Sequence, residues 1–258
     1  MRTPRHLPPA LLPALLAAVL LPSLAATVLS TATPAAAVAT HPADLAADPA
    51  PGASTGPGAG TVTLRQVQVR SANEIARRQA ALAARLTLVT TGSPALTGPD
   101  RAGLETLIRN DQSGLAALGG RIASDTDLGT AQADQRQIFT GYRVYALVLP
   151  QIRLVRADDA LITQALPQLT DARSRLAAEL ARSGRTEQAA ATMADLDRQV
   201  QTIRDDTSGL SAKVLALTPA QWNADHGVLA PARQSLLSAR AALARARADI
   251  ATVRALLA

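Results

Sequence analysis

Residues 138–161 read IFTGYRVYALVLPQIRLVRADDAL and hold three of the four aromatic residues of the 258-residue chain. Phe139, Tyr142 and Tyr145 lie within seven residues, on about two turns of one predicted helix, and a further apolar run follows Pro150. Large rings dominate burial wherever they occur. We therefore predict that this stretch is the central helix against which the others pack, although it carries no recognisable chemistry.

The central helix is predicted to run from about Thr130 to Arg182. Its apolar seam comprises Ile138, Tyr145, Ile152, Ile162, Leu166, Leu169, Leu176 and Leu180. Pro150 and Pro167 each remove one backbone hydrogen bond and are expected to bend the helix. Because the apolar pattern keeps its phase through Pro150, we predict a kink and not a chain reversal.

Two helices are predicted before it. The first spans about residues 62–89, with Ile75, Leu82 and Val89 recurring every seven residues. Its intervening seam positions are Ala72, Gln79 and Leu86, and its basic outer face comprises Arg65, Arg70, Arg77, Arg78 and Arg85. The second helix opens on a capping box formed by Thr97 and Asp100. Its apolar face comprises Leu104, Leu107, Ile108, Leu115, Leu118 and Ile122, and its glycines suit the close approach of a neighbouring helix.

Two long helices are predicted after it. Thr186 caps one whose seam alternates spacings of three and four, a heptad pattern: Met193, Leu196, Val200, Ile203, Thr207, Leu210, Val214 and Leu217. A short turn follows from Thr218 and Pro219, where proline takes its preferred first position. The last helix begins near Leu229, buries a seam of leucine and alanine, and turns Arg233, Arg240, Arg245, Arg247 and Arg254 outward.

Short connections between helices of similar length imply antiparallel neighbours. The predicted fold is therefore all-α: an elongated antiparallel helical bundle, made of two three-helix units that share one long kinked helix. The alternative is one compact bundle of four or five helices.

The N-terminus has the pattern of a secretory signal peptide. Arg2 and Arg5 precede an apolar run, and small residues suitable for cleavage follow it. We predict a signal peptide over residues 1–37, a disordered Ala/Pro/Gly linker over 38–61 and a helical-bundle domain over 62–258. The alternative is an apolar segment that is retained as a membrane anchor.

Composition restricts the functional classes. Cysteine is absent, so the fold depends on helix packing and not on disulfides. The net charge of +6 is a mild excess that suits acidic surfaces, but it lacks the clustered basic character of a nucleic-acid binder.

The signal, the alanine-rich linker, the cysteine-free helices and the stretch YRVYALVLPQIRLVRA together resemble uncharacterised exported helical proteins of high-GC Gram-positive bacteria. The resemblance implies no activity and transfers no functional residues.

Few constellations suggest chemistry. His41 and His226 are the only histidines after the signal, and no phosphate-binding loop occurs, so no catalytic, cofactor or metal residues are predicted. Asp159 falls on the seam and is expected to form a salt bridge with Arg156 or with another arginine. Tyr145 is expected to belong to the core, and Tyr142 to be half-buried with its hydroxyl hydrogen-bonded; the alternative is a ligand-stacking platform.

Two functions stay open. The first is an exported, non-enzymatic helical protein, a spacer or binding module at the bacterial cell envelope. Its basic outer faces, with Arg240, Arg247 and Arg254 on the last helix, would meet anionic wall polymers or lipid headgroups. The second is a small-molecule-binding or hydrolytic protein with a pocket near Pro150, lined by Tyr142, Arg143 and Asp158.

Overall fold

A computed structural model describes residues 62–258, and the predicted signal peptide and linker lie outside these described residues. Within them the regular structure is helical and no strand occurs, which confirms the all-α prediction. The α-helices, in chain order, are α1 Leu64–Thr90, α2 Gly98–Ser124, α3 Leu128–Thr140, α4 Leu149–Ala160, α5 Leu166–Ser183, α6 Thr186–Thr207, α7 Leu210–Leu215, α8 Pro219–Ala224 and α9 Ala230–Leu257. Two π-helical turns, Val144–Val148 and Leu161–Ala165, precede α4 and α5.

Segments α3, α4 and α5 form one long bent helix of 56 residues. Helices α1 and α2 pack on each other and on α3, whereas α6 and α9 pack on each other and on α5. Helix α7 packs on α4, between these two groups. The predicted arrangement of two three-helix units sharing one long helix is confirmed.

Each π turn ends directly before a proline-containing turn. Pro150 and Pro167 are the second residues of α4 and α5. A proline ring inside a helix clashes with the carbonyl four residues earlier. A π turn, which closes its hydrogen bonds five residues back, widens the helix at this point. The N–H groups of Leu149 and Leu166 donate in this way to the residues that begin the two turns. The chain therefore stays helical through both prolines and does not reverse at either of them.

A further interruption lies ahead of the first π turn, where the sequence does not predict one. Helix α3 ends at Thr140, and Arg143 adopts a left-handed conformation with φ 41°. It is the one residue other than glycine with a positive φ in the described part of the chain. Such a conformation costs an L-residue about 1–2 kcal/mol. The surrounding contacts must therefore hold this segment in place.

The π turn at 161–165 also changes which side chains face the core. Ile162, predicted on the seam, is exposed, whereas Leu161 and Ala165 are buried in its place. A π turn inserts extra backbone into the helical repeat, so the apolar face moves by about one residue.

The helix predicted from Thr186 to Leu217 is divided into α6 and α7. Gly209, with φ 64°, supplies the left-handed residue at the break. The heptad seam continues across it, because Leu210 and Val214 are as well buried as the residues of α6. Thr186 is the first residue of α6 and not its cap, which is Arg185.

Close helix approach depends on small residues. In α9 the predicted alanines Ala239 and Ala246 are fully buried against α6 and its neighbours, as their seam positions predict. In α2 a Cβ atom added at Gly119 would lie 3.3 Å from Ile75 Cδ1 of α1. Within residues 62–258, no helix is both long and apolar enough to span a membrane.

Candidate functional site

The three residues predicted to line a pocket near Pro150 contact different helices. The Tyr142 ring packs against α2, where a Cβ at Gly114 would lie 2.6 Å from the Tyr142 hydroxyl oxygen. Arg143 Nε donates to Asn223 Oδ1 in α8 at 2.7 Å. Asp158 accepts hydrogen bonds from α7. Each of the three side chains therefore packs on or bonds to a different helix.

The aromatic cluster instead surrounds a buried cation. The Arg78 guanidinium lies 4.6 Å from the centre of the Phe139 ring and 5.2 Å from that of Tyr145. Arg78 also forms an ion pair with Glu74, one turn earlier in α1, and is fully buried. Its prediction on the basic outer face is wrong. Tyr145 is half-buried rather than a fully enclosed core residue.

A signal for this arrangement is present in the sequence. Arg78 lies three residues after Ile75 and four before Leu82, so it occupies a seam position of α1. Ala72, which we expected on the seam, is exposed, and Ser71 is buried instead. The buried face of α1 therefore includes a charged residue, Arg78. A buried charge requires a partner.

Asp158 and Asp159 are both buried, and each accepts hydrogen bonds from the N-terminal end of another helix. Asp159 Oδ2 accepts the backbone N–H of Thr97 at 2.8 Å, taking the hydrogen bond that a capping box would assign to Asp100. Asp158 Oδ2 accepts the Ser211 hydroxyl at 2.8 Å and the Ser211 N–H at 3.2 Å. The two carboxylates thus bond to the first turns of α2 and α7.

The expected ion pair at Asp159 does not form with its nearest arginine. Arg156 Nε donates instead to Ser93 Oγ at 2.9 Å, in the loop before α2. The pKa of Asp159 is raised to about 6, mainly by burial; the hydrogen bond from Thr97 opposes this rise, and the neighbouring Asp100 and Asp158 add to it. Burial also raises the pKa of Asp158, against the lowering effect of its bonds from Ser211.

Asp111 is a carboxylate that the sequence analysis did not single out. Burial raises its pKa to about 7. Burial also raises the pKa of Tyr142, the charge of Arg121 opposes that rise, and the charge of Asp111 adds to it. Among the carboxylates, it is the charge of Asp111 in α2 that affects the Tyr142 hydroxyl.

Replacing Asp159 by asparagine is expected to stabilise the protein at neutral pH. A carboxyl whose pKa rises from 3.8 to about 6 on folding takes up a proton, so the folded state loses stability as pH rises from about 4 through 6. Asparagine keeps an oxygen for the Thr97 N–H but carries no charge. We expect Asp159→Asn to gain about 1–3 kcal/mol at pH 7.5 and little at pH 4.

Urea unfolding at both pH values measures this effect, with Asp127→Asn as the control. Hydrogen bonds from Thr130 lower the pKa of the exposed Asp127, so its charge favours folding and its loss brings no gain at pH 7.5. Equal stability of Asp159→Asn and wild type at pH 7.5 would contradict the assignment of a destabilising buried charge.

The outer face of α9 carries a row of arginines. Arg233, Arg240, Arg247 and Arg254 recur every seven residues and are all exposed, as predicted. Between them lie exposed apolar or small residues, namely Leu237, Ala244 and Ala251. We call these seven residues the arginine stripe. Within residues 62–258, none of its four arginines forms an ion pair.

The stripe borders a groove of about 330 Å³ between α5 and α9. Its lining comprises Ala165, Gln168, Leu169, Ala172, Leu243, Arg247, Ile250 and Arg254. A second groove of about 270 Å³ lies between α1 and α2 and is lined mainly by small and apolar residues. Neither groove contains Tyr142, Arg143 or Asp158.

The basic face predicted on α1 is weaker than that of α9. Arg65, Arg70 and Arg77 are exposed, but Arg85 is half-buried and Arg78 is enclosed. Arg77 also lies 3.5 Å from Glu74. The stripe on α9 therefore carries more exposed arginines without an ion pair than the face of α1 does.

Comparison of the chain with protein families, with curated proteins and with solved structures found no match. Among residues 62–258, no group of three or more histidine, aspartate or glutamate side chains is placed to hold a metal ion.

Proposed function

We propose that this protein is an exported, non-enzymatic helical binding module of the bacterial cell envelope, and that the arginine stripe of α9 is its binding surface. The observation that carries the proposal is the alignment of four exposed arginines without ion pairs on one helical face. Seven residues correspond to about 10.5 Å along a helix. Successive guanidinium groups therefore face one direction at regular intervals and suit an extended anionic surface.

The binding free energies of the individual arginines add up on such a surface, and their sum falls as the salt concentration rises. Each arginine near an anionic membrane contributes about 1 kcal/mol, and exposed charges are screened beyond about 8 Å at physiological ionic strength. Guanidinium groups also bind phosphate and carboxylate through paired hydrogen bonds. Four arginines in a row therefore support tight but salt-sensitive attachment.

The charge of the neighbouring helix favours one binding orientation. Helix α6, which packs on α9, has the acidic side chains Glu187, Asp195, Asp197, Asp205 and Asp206 against two arginines. An anionic surface attracts α9 and repels α6. Electrostatic steering of this kind orients a protein before contact.

The pocket alternative has no comparable support. Tyr142, Arg143 and Asp158 contact three different helices, so no shared ligand position follows from their geometry. The Tyr145 ring already faces the Arg78 guanidinium. The binding-module proposal is the better supported of the two.

Changing Arg240, Arg247 and Arg254 together to alanine is expected to weaken binding to an anionic support at least tenfold. The loss of three contacts of about 1 kcal/mol each weakens binding by more than a factor of ten. Retention of the folded protein on phosphate-bearing and neutral resins, measured at rising salt, tests this. We expect wild-type retention to fall with salt and the variant to elute early.

A charge-matched variant provides the control. Arg136, Arg182 and Arg204 are exposed on α3, α5 and α6, and their change to alanine removes the same formal charge from scattered positions. If the stripe is the binding surface, this variant should retain most of the wild-type affinity for the anionic resin. Equal retention of wild type on anionic and neutral resins at low salt would rule the proposal out.

A further inference from the structure

We propose that the groove between α5 and α9 seats the acyl chain of an anionic lipid, whose phosphate group is bound by Arg247 and Arg254. This inference rests on the proposed function and identifies its anionic surface as membrane lipid rather than wall polymer. The volume of the groove, about 330 Å³, lies near the lower end of the range for ligand-binding pockets, which is roughly 300–1,000 Å³.

The groove has an apolar floor contributed by two helices, with Gln168 as a polar side chain beside it. Leu169 comes from α5, and Leu243 and Ile250 come from α9. Ala165 and Ala172 line the same space with short side chains, and Ala165 is the last residue of the second π turn. An apolar recess of this kind gains free energy when it is filled by hydrocarbon.

The rim of the groove is cationic. Arg247 and Arg254 line it, lie on the exposed arginine stripe, and form no ion pair with the described residues. Asp171, an acidic residue of α5, is paired with Arg175 at 2.6 Å. The rim therefore presents two uncompensated positive charges beside an apolar floor.

A cationic rim over an apolar floor is complementary to an amphiphilic anion. A polymer of sugar or glycerol phosphates would engage the arginines but leave the floor unused. The exposed Leu237, 59% accessible in the same stripe, also suits the boundary between headgroups and acyl chains. Charge and apolar surface together therefore favour a lipid.

Calorimetric titration with single-chain lysophosphatidylglycerol, below its micelle concentration, tests the proposal. Each buried methylene should raise affinity about fourfold until the groove is full, so affinity should rise and then level off with chain length. Glycerol phosphate, which has no chain, and lysophosphatidylcholine, whose headgroup is neutral overall, should each bind at least tenfold more weakly.

Ala172→Phe fills the groove without removing a charge. We expect it to weaken lysophosphatidylglycerol binding at least tenfold while retention on the anionic resin stays unchanged. Ala178→Phe, on an exposed position of the same helix, is the matched control and should bind as wild type does. Circular dichroism verifies that both variants keep their helices.

The outcomes separate the two proposals. Equal binding of glycerol phosphate and lysophosphatidylglycerol, or wild-type affinity in Ala172→Phe, would overturn the proposal that the groove binds an acyl chain. Anion binding by the stripe would stand in that case. Equal binding of the neutral lysolipid would overturn the contribution of the two arginines to the groove. Loss of retention on every anionic support would overturn the proposed function itself.

Discussion

Replacing Arg78 by alanine is expected to lower the free energy of unfolding by about 3–5 kcal/mol. The guanidinium is fully buried between α1 and the long helix, where it pairs with Glu74 and contacts two aromatic rings. Its removal leaves a cavity and a carboxylate without its partner. Because domains are stable by only about 5–15 kcal/mol, the variant should melt far earlier than wild type.

Arg77→Ala is the matched control for this substitution. Its side chain is 72% exposed and reaches the same glutamate at 3.5 Å, an arrangement that contributes about 1 kcal/mol or less. Thermal unfolding followed by circular dichroism compares the two. Similar melting of Arg78→Ala and Arg77→Ala would show that the buried ion pair does not stabilise the fold.

Tyr145→Ala is expected to cost about 3 kcal/mol, at the lower end of the range for aromatic-to-alanine changes because its ring is half-buried. The ring packs beneath Arg78, so the two substitutions should be non-additive in a double-mutant cycle. Arg143→Ala, which loses a surface hydrogen bond to Asn223, should cost only about 1 kcal/mol.

The two single substitutions distinguish the core interpretation from the ligand-platform alternative. If Tyr145→Ala melts within a degree or two of wild type, the ring does not support the packing of the long helix. That result would favour a platform left available for a ligand.

The seams of the helices could be predicted because periodicity depends only on residue spacing. Ile75, Leu104 and Leu196 are buried where the pattern assigns them. Ile162 is exposed because a π turn changes the register, and no residue spacing indicates such a turn in advance. Local hydrogen bonding around the proline, and not hydrophobic patterning, determines that position.

Polar contacts between distant segments could not be predicted in the same way. Asp159 caps α2 across 62 residues of sequence, and Arg78 faces rings that lie more than 60 residues away. Periodicity placed Asp159 on a buried face, but its partner depends on which helices become neighbours. For the same reason Asp159, which was predicted to form a salt bridge, caps α2 in the structure.

The arginines of α9 were predictable, whereas the groove beside them was not. The seven-residue repeat places Arg240, Arg247 and Arg254 at the edge of the buried face that contains Leu236 and Val253, where their long side chains reach solvent. The groove depends on which small residues of α5 face which part of α9. Such a juxtaposition follows only from the assembled fold.

An environment-sensitive fluorophore at position 237 tests the binding surface most directly. The chain contains no cysteine, so Leu237→Cys places one label within the arginine stripe, and Ala191→Cys places a control label on the acidic α6. Vesicles of phosphatidylcholine with and without phosphatidylglycerol serve as the partners. We expect a blue shift at position 237 with the anionic vesicles only, reversed by salt, and no shift at position 191. An equal shift at both positions, or none at position 237 while the protein sediments with anionic vesicles, would contradict binding through α9.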